Sequence, residues 1–469
     1  MSDEELIINK PSDSGIGTES ISEANLQGEV SLNETNENIT ETETQPILES
    51  TSIDNLVTFR KFQLPIVTKF LKRTKTEIPK TGFLQSSFNF FKGFVCTGII
   101  AEPYAFKEAG IVTAIISLVL LSLLSFHTMS ILVTAKRFVM NKYDLQYLTF
   151  TDIGEYLLGK WGKNAIDFFL FLTQFGFCCA YVIFISGTLG NIFSKSPAIF
   201  VPVAFLPLYL LTLIRNVKKL VPYEIAGSFL LLFSLSIVVG IECVDPEKGR
   251  KVSAAEWKTL PIFFGIVAYS FEGIGIILPI ENSMKKPQKF KKLMGINLFF
   301  VTIVYIVFGL LGYLAYGTDT KGNVITNLEQ NPLNIVMKSA YVLVVLLTYP
   351  LQMFPAVELL EIKNCFRKHM GKKHWELRRN LLRFGLVLIS SLIGLAIPQF
   401  GLFLSLIGSL GSTALCFILP AVFDIQLRRE NGKNRTVWKV KNYAIVIFGA
   451  IAAVAGTVVS IQNIISALF

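Results

Sequence analysis

The chain has 469 residues, 52% of them hydrophobic, a mean hydropathy of +0.53 and a formal net charge of +10; that is too apolar for an ordinary water-soluble domain. Its basic residues sit in short stretches between apolar blocks, which argues against nucleic-acid binding and for lipid headgroups as their neighbours. Three histidines and six scattered cysteines form no metal-ligand or disulfide pattern, and the absence of a nucleophile elbow, phosphate loop or dinucleotide fingerprint argues against an enzyme and leaves no cofactor to expect.

Residues 1–55 come first. Within residues 1–50, 12 Asp/Glu stand against one basic residue, Lys10, a net −11. A Ser/Thr/Glu/Asn-rich stretch with few aromatics cannot bury enough surface to order itself, so we expect a disordered acidic tail. Residues 56–83 read as a basic juxtamembrane segment. The rest, 84–467, reads as a transmembrane domain of about eleven helices, each apolar block roughly long enough to cross ~30 Å of hydrocarbon. The expected spans are 84–106, 111–135, 164–190, 198–214, 220–241, 259–282, 293–316, 333–358, 384–397, 402–423 and 443–467. The ninth is short, and its start can slide back to 379 with Arg383 reaching the interface.

Lys and Arg alternate with the spans. If the tail is cytosolic, the cytosolic loops carry 27 basic residues and the opposite loops 7. That asymmetry places the amino terminus in the cytosol and, after an odd number of spans, Phe469 on the other side. The vacuolar or lysosomal membrane and the plasma membrane both fit this multi-pass topology.

Two spans are interrupted. The first contains Thr97, Gly98, Ile99, Ile100, Ala101, Glu102 and Pro103; the sixth contains Phe271, Glu272, Gly273, Ile274 and Gly275, then Pro279. Glycine weakens a helix and proline removes one of its hydrogen bonds, so both spans are expected to unwind in mid-membrane. Unwound backbone is tolerated there only inside protein or beside a watery cavity. The interruptions lie five spans apart, the arrangement expected of a five-plus-five inverted-repeat transporter fold of the LeuT type with its substrate between broken helices. Half-helix amino termini suit a substrate carboxylate, and free carbonyls suit an ammonium group.

A carboxylate at the bilayer centre costs roughly 2.5–3.5 kcal/mol on insertion scales and so needs a role or a partner. Glu272 and Glu102 either carry a coupling proton or cap the unwound segments. His127, near the cytosolic end of the second span, is either a proton group or a packing residue. Tyr181, Tyr349 and Gln352 are mid-span polar groups, each able to reach the centre or to serve as packing.

The stretch Phe263–Asn282 (FFGIVAYSFEGIGIILPIEN) resembles the sixth-span signature of the proton-coupled amino acid transporters, a branch of the amino acid/auxin permease family. Lys92-Gly93 with Thr97-Gly98, Pro103 and KEAG at Lys107–Gly110 resemble that family's first span. Phe126–Val133 resembles its second span, and Asp167–Cys178 with Tyr181 its third. The resemblance implies secondary transport of small neutral amino acids with a proton, by alternating access. It places Thr97, Gly98, Phe271, Glu272 and Gly273 around the substrate, with Tyr181 on the substrate carboxylate. Where the family carries an apolar residue this chain has Glu102, which raises a cationic amino acid as a rival cargo. Sodium in place of the proton fits the same broken spans, and the long acidic tail also fits an amino acid sensor that signals through it and transports little.

Overall fold

The computed structural model describes residues 80–95, 97–143, 145, 147–214, 227, 230, 234–240, 251–362, 375–430, 432 and 436–468. The expected tail at 1–55, the juxtamembrane residues up to 79 and most of the fifth span lie outside the described residues. Apart from one bridge between Thr81 and Met284, the described residues are helix, turn or loop. Among them, eight helices are long and apolar enough to cross a membrane, and a shorter apolar helix covers Pro197–Thr212.

The first span is broken as its composition predicts. Helix α1 (Phe83–Phe94) stops, a 3₁₀ turn runs from Thr97 to Ala101, and α2 (Glu102–Ala109) restarts with Pro103 in its first turn. Proline is tolerated there because that N–H has no intrahelical partner. Helices α3 (Ile111–Tyr143) and α4 (Phe150–Ile192) follow. The third span is longer than its apolar block, because a Thr149/Asp152 capping box starts a helix at Phe150. That helix bends at Gly159, whose φ of 69° suits only a residue without Cβ. Next comes α5 (Phe200–Thr212). The sixth span splits into α6 (Leu260–Ser270) and α7 (Ile274–Ser283), with Phe271–Gly273 non-helical between them.

The remaining helices are α8 (Phe290–Tyr316), α9 (Pro332–Ile362), α10 (Trp375–Ala396), α11 (Phe400–Ile407), α12 (Leu419–Glu430) and α13 (Thr436–Leu468). The ninth span therefore begins at Trp375 and carries Arg383 inside it, bonded to Glu361 at 2.9 Å. Between α11 and α12 the tenth span widens into π-helical turns at Gly408–Ser412 and Ala414–Ile418.

Among the described residues, packing pairs each of the first four spans with the one five spans later. α1 packs on α7 and α2 on α6, so the two broken spans run antiparallel with their breaks side by side. Likewise α3 packs on α8, α4 on α9, and α5 on α10. Five is odd, so partners five spans apart cross in opposite directions, and the fold is the five-plus-five inverted repeat with an added helix, α13. Residues such as Leu120, Phe299 and Ile451 remain exposed on the outer surface, as a lipid-facing shell requires.

At the end that carries the Lys/Arg-rich loops, hereafter the basic end, the chain before α1 is stitched to the end of α7. Thr81 N donates to Ser283 O at 2.6 Å, and Lys285 N donates to Thr81 O at 2.9 Å. Beside this seam the buried Glu281 carboxylate accepts from Lys136 Nζ at 2.9 Å and Arg137 Nε at 2.7 Å.

Candidate functional site

The two breaks meet around a small cavity of about 60 Å³. Its wall is formed by Gly93, Phe94, Thr97 and Gly98 from the first span and Tyr269, Ser270 and Glu272 from the sixth. Phe177 and Tyr181 on α4 and Gln352 on α9 complete it.

Close backbone approach holds the breaks together. A Cβ on Gly98 would lie 2.6 Å from Ser270 Oγ, and one on Gly273 would lie 2.1 Å from the Phe94 ring. Only glycine fits at these contacts. One hydroxyl then serves both spans: Tyr305 Oη on α8 is 2.8 Å from Phe94 O and 3.0 Å from Ser270 O. These carbonyls lie at the ends of α1 and α6, where the helix supplies no further N–H to meet them. The tyrosine donates to carbonyls that would otherwise be stranded in the membrane.

The cavity is lined by polar groups held in place by neighbours. Thr97 Oγ1 lies 3.2 Å from Tyr269 Oη, and the Tyr269 ring meets Phe177 edge-on at 4.4 Å. Gln352 Nε2 donates to Gln174 Oε1 at 2.8 Å. Glu272 is buried, and its Oε1 has no hydrogen-bond partner among the described residues. A buried carboxyl oxygen without a partner is costly at this depth.

Five expected residues, Thr97, Gly98, Tyr181, Glu272 and Gln352, reach the cavity together. The others occupy its surroundings. Ile99 and Ile100 are buried in the core, and Phe271 packs its ring on Tyr305. Gly273 faces Phe94, and Gly275 lies nearest Gln174. Tyr349 is buried with its hydroxyl 2.8 Å from Ser390 Oγ. Glu102 lies beyond the wall, fully buried near Ser270, and neither of its oxygens has a partner among the described residues. His127 sits apart, at the basic end, with Nε2 2.7 Å from Lys441 Nζ beside the Asp424 carboxylate. The cavity residues Gly93, Phe94, Phe177, Tyr269 and Ser270 were not foreseen, and neither was Tyr305 behind it. Among the described residues, no cluster of His, Cys, Asp or Glu has the composition of a metal site.

A polytopic helical bundle with two antiparallel broken helices around a central polar cavity has the architecture of a membrane transporter, not an enzyme. The family described as "Transmembrane amino acid transporter protein" matches residues 79–462, and the chain belongs to that family, the amino acid/auxin permeases. It is 32% identical over 403 residues to "Amino acid transporter AVT3C" of Arabidopsis thaliana, covering 81% of this chain and 90% of the relative. It is 30% identical over 408 residues to "Amino acid transporter AVT3A" of the same plant, covering 84% and 91%. Among solved structures, a Na+-coupled sialic acid symporter in a substrate-bound outward-open state aligns with a TM-score of 0.45 and 11% identity, over 87% of this chain and 97% of that one. MhsT in complex with L-phenylalanine aligns with a TM-score of 0.43 and 12% identity, over 82% and 100%. Both likenesses are distant.

Proposed function

We propose that this protein carries small neutral amino acids across a membrane, coupled to protons, by alternating access around the cavity between the broken helices. The observation that carries the reading is the cavity itself, about 60 Å³ and walled by Thr97, Gly98, Tyr181, Glu272 and Gln352. That volume suits a ligand of few atoms, with amide, hydroxyl and carboxyl groups to hold a zwitterion and little room for a side chain. The half-helix ends and polar side chains at the breaks bind the substrate's charged ends. Glu272 is the coupling group: protonated, it removes a charge from the bilayer centre as the site changes sides; deprotonated, it returns its proton to water.

Glu102 stands outside the cavity wall and serves as a second buried carboxyl behind Ser270, not as the selector of a cationic cargo. With the tail on the cytosolic side, the Lys136–Glu281 seam closes the cytosolic entrance. The test is uptake of labelled glycine, alanine, proline and lysine into proteoliposomes, with and without an imposed pH gradient, in sodium and in choline. The proposal expects gradient-driven uptake of the small neutral amino acids that survives choline. Uptake indifferent to the pH gradient rejects proton coupling, and uptake that requires sodium replaces it.

A further inference from the structure

Glu102 opens α2, the half of the first span that runs from the break towards the end opposite the basic loops. Its side chain is fully buried, and neither oxygen has a hydrogen-bond partner among the described residues. The polar side chain beside it is Ser270, and no charged group is a near neighbour. Titratable side chains on the elements packed around it are engaged elsewhere. Tyr269 on α6 meets Thr97, Tyr305 on α8 serves Phe94 O and Ser270 O, and Tyr313 on α8 accepts from Ser253 N. Those of α3 begin only at His127, towards the basic end, and Lys107 and Glu108 sit further along α2. An ionised carboxylate with neither donor nor cation beside it is costly at this depth, so Glu102 holds a proton while the site is closed.

Ser270 joins that carboxyl to the cavity. Its Oγ is buried without a partner among the described residues, and the residue lies on the wall that also carries Glu272. A hydroxyl both donates and accepts, and turns to suit its neighbours. Its backbone is fixed, because Tyr305 Oη donates to Ser270 O at 3.0 Å. The cavity, about 60 Å³, has room for a water and polar groups to hold it.

We propose that Glu102 is a second proton-carrying group, one that supplies Glu272 through the Ser270 hydroxyl. The Glu102 acid gives its proton to Ser270 Oγ as Ser270 gives its own to a water in the cavity, and that water passes one to the Glu272 carboxylate. Glu102 ends as carboxylate and Glu272 as acid, with Ser270 and the water unchanged. Glu102 regains a proton from the end opposite the basic loops, towards which α2 points, and Glu272 releases its own at the basic end. The inference rests on the proton-coupling reading and adds to it the route by which the proton arrives.

The test compares alanine uptake driven by a pH gradient with alanine counterflow at equal pH, both in proteoliposomes of the full-length protein. Counterflow moves no net protons, so the ratio of the two isolates the proton step. Glu102→Gln keeps the shape of the side chain without its acidic proton. It should lower the ratio about a hundredfold, the lesser end of what a positioned proton donor contributes. Glu102→Asp, which restores an acid, should return part of it, and Ser270→Ala should lower the ratio in the same direction as Glu102→Gln. A ratio unmoved in Glu102→Gln overturns the proposal. So does a folded Glu102→Gln protein that loses counterflow along with driven uptake, since the residue would then shape the substrate site. Should Glu102→Gln fail to fold, Ser270→Ala decides, and an unmoved ratio there overturns the relay. Wild-type uptake that ignores the pH gradient would instead overturn the proton-coupling reading, and this inference with it.

Discussion

Gly273→Ala adds one methyl group at the point where the two broken spans touch. Its Cβ would lie 2.1 Å from Phe94 Cζ, and ordinary contact begins near 3.4 Å, so the ring or the backbone must give about 1.3 Å. The ring has little freedom. It stacks on Phe90 at 4.7 Å, and Phe90 in turn meets Phe290 edge-on at 6.4 Å. Its open direction is the cavity it lines, where a shift would consume space the substrate needs. Overpacking of this kind costs about 1–3 kcal/mol, and every 1.4 kcal/mol is tenfold in an equilibrium constant. Alanine uptake in proteoliposomes should therefore show a KM raised about tenfold or more, with only a modest fall in thermal midpoint. Phe94→Leu in the same chain, which withdraws the ring edge, should recover much of the lost affinity. A Gly273→Ala protein with an unchanged KM would refute the claim that this contact shapes the substrate site.

Three further outcomes follow from particular bonds. Tyr305→Phe leaves Phe94 O and Ser270 O without their shared donor; stranding buried carbonyls costs about 1–3 kcal/mol, so thermal unfolding in detergent should move to lower temperature while the fold persists. Glu281→Leu leaves the buried Lys136 ammonium without its carboxylate, with only the Asn282 amide oxygen as acceptor, a loss of about 3–5 kcal/mol; adding Lys136→Met should restore most of the thermal midpoint, and a midpoint unmoved by Glu281→Leu would contradict the seam's role. Gln352→Ala removes the donor to Gln174 Oε1 and enlarges the cavity; competition uptake should then shift preference from alanine towards larger neutral amino acids by about tenfold, the effect of one or two methylenes in a fitted pocket.

Much of the architecture was visible in the residue order. Blocks of apolar residues set the helices, and Gly98 with Pro103, then Gly273 with Pro279, marked the two that break. Thr97, Gly98 and Glu272 followed from the same logic, since polar or small residues at a break face whatever lies between the spans, and Tyr181 and Gln352 followed as polar groups in mid-span. The facing of their immediate neighbours was not legible. Thr97–Ala101 is a 3₁₀ turn, with a different angular step from an α-helix, and it turns Ile99 and Ile100 into the core. Tyr349 was misplaced for another reason: its partner, Ser390, comes from α10, and no local pattern announces a bond across 41 residues. Tyr305 carried no signal because one tyrosine in an apolar span reads as packing; its role depends on two carbonyls 211 and 35 residues away. The length of α4 was missed because its first turns are polar, although Thr149 and Asp152 have the spacing of a capping box.

The account depends most on where the substrate sits. A cryo-EM structure of the protein with saturating L-alanine tests it directly. Density for the amino acid should lie between the two breaks, against Thr97, Gly98, Tyr181 and Glu272, with Phe271–Gly273 still unwound. Density found elsewhere with this cavity unfilled, or a sixth span closed into one continuous helix through Gly273, would contradict it.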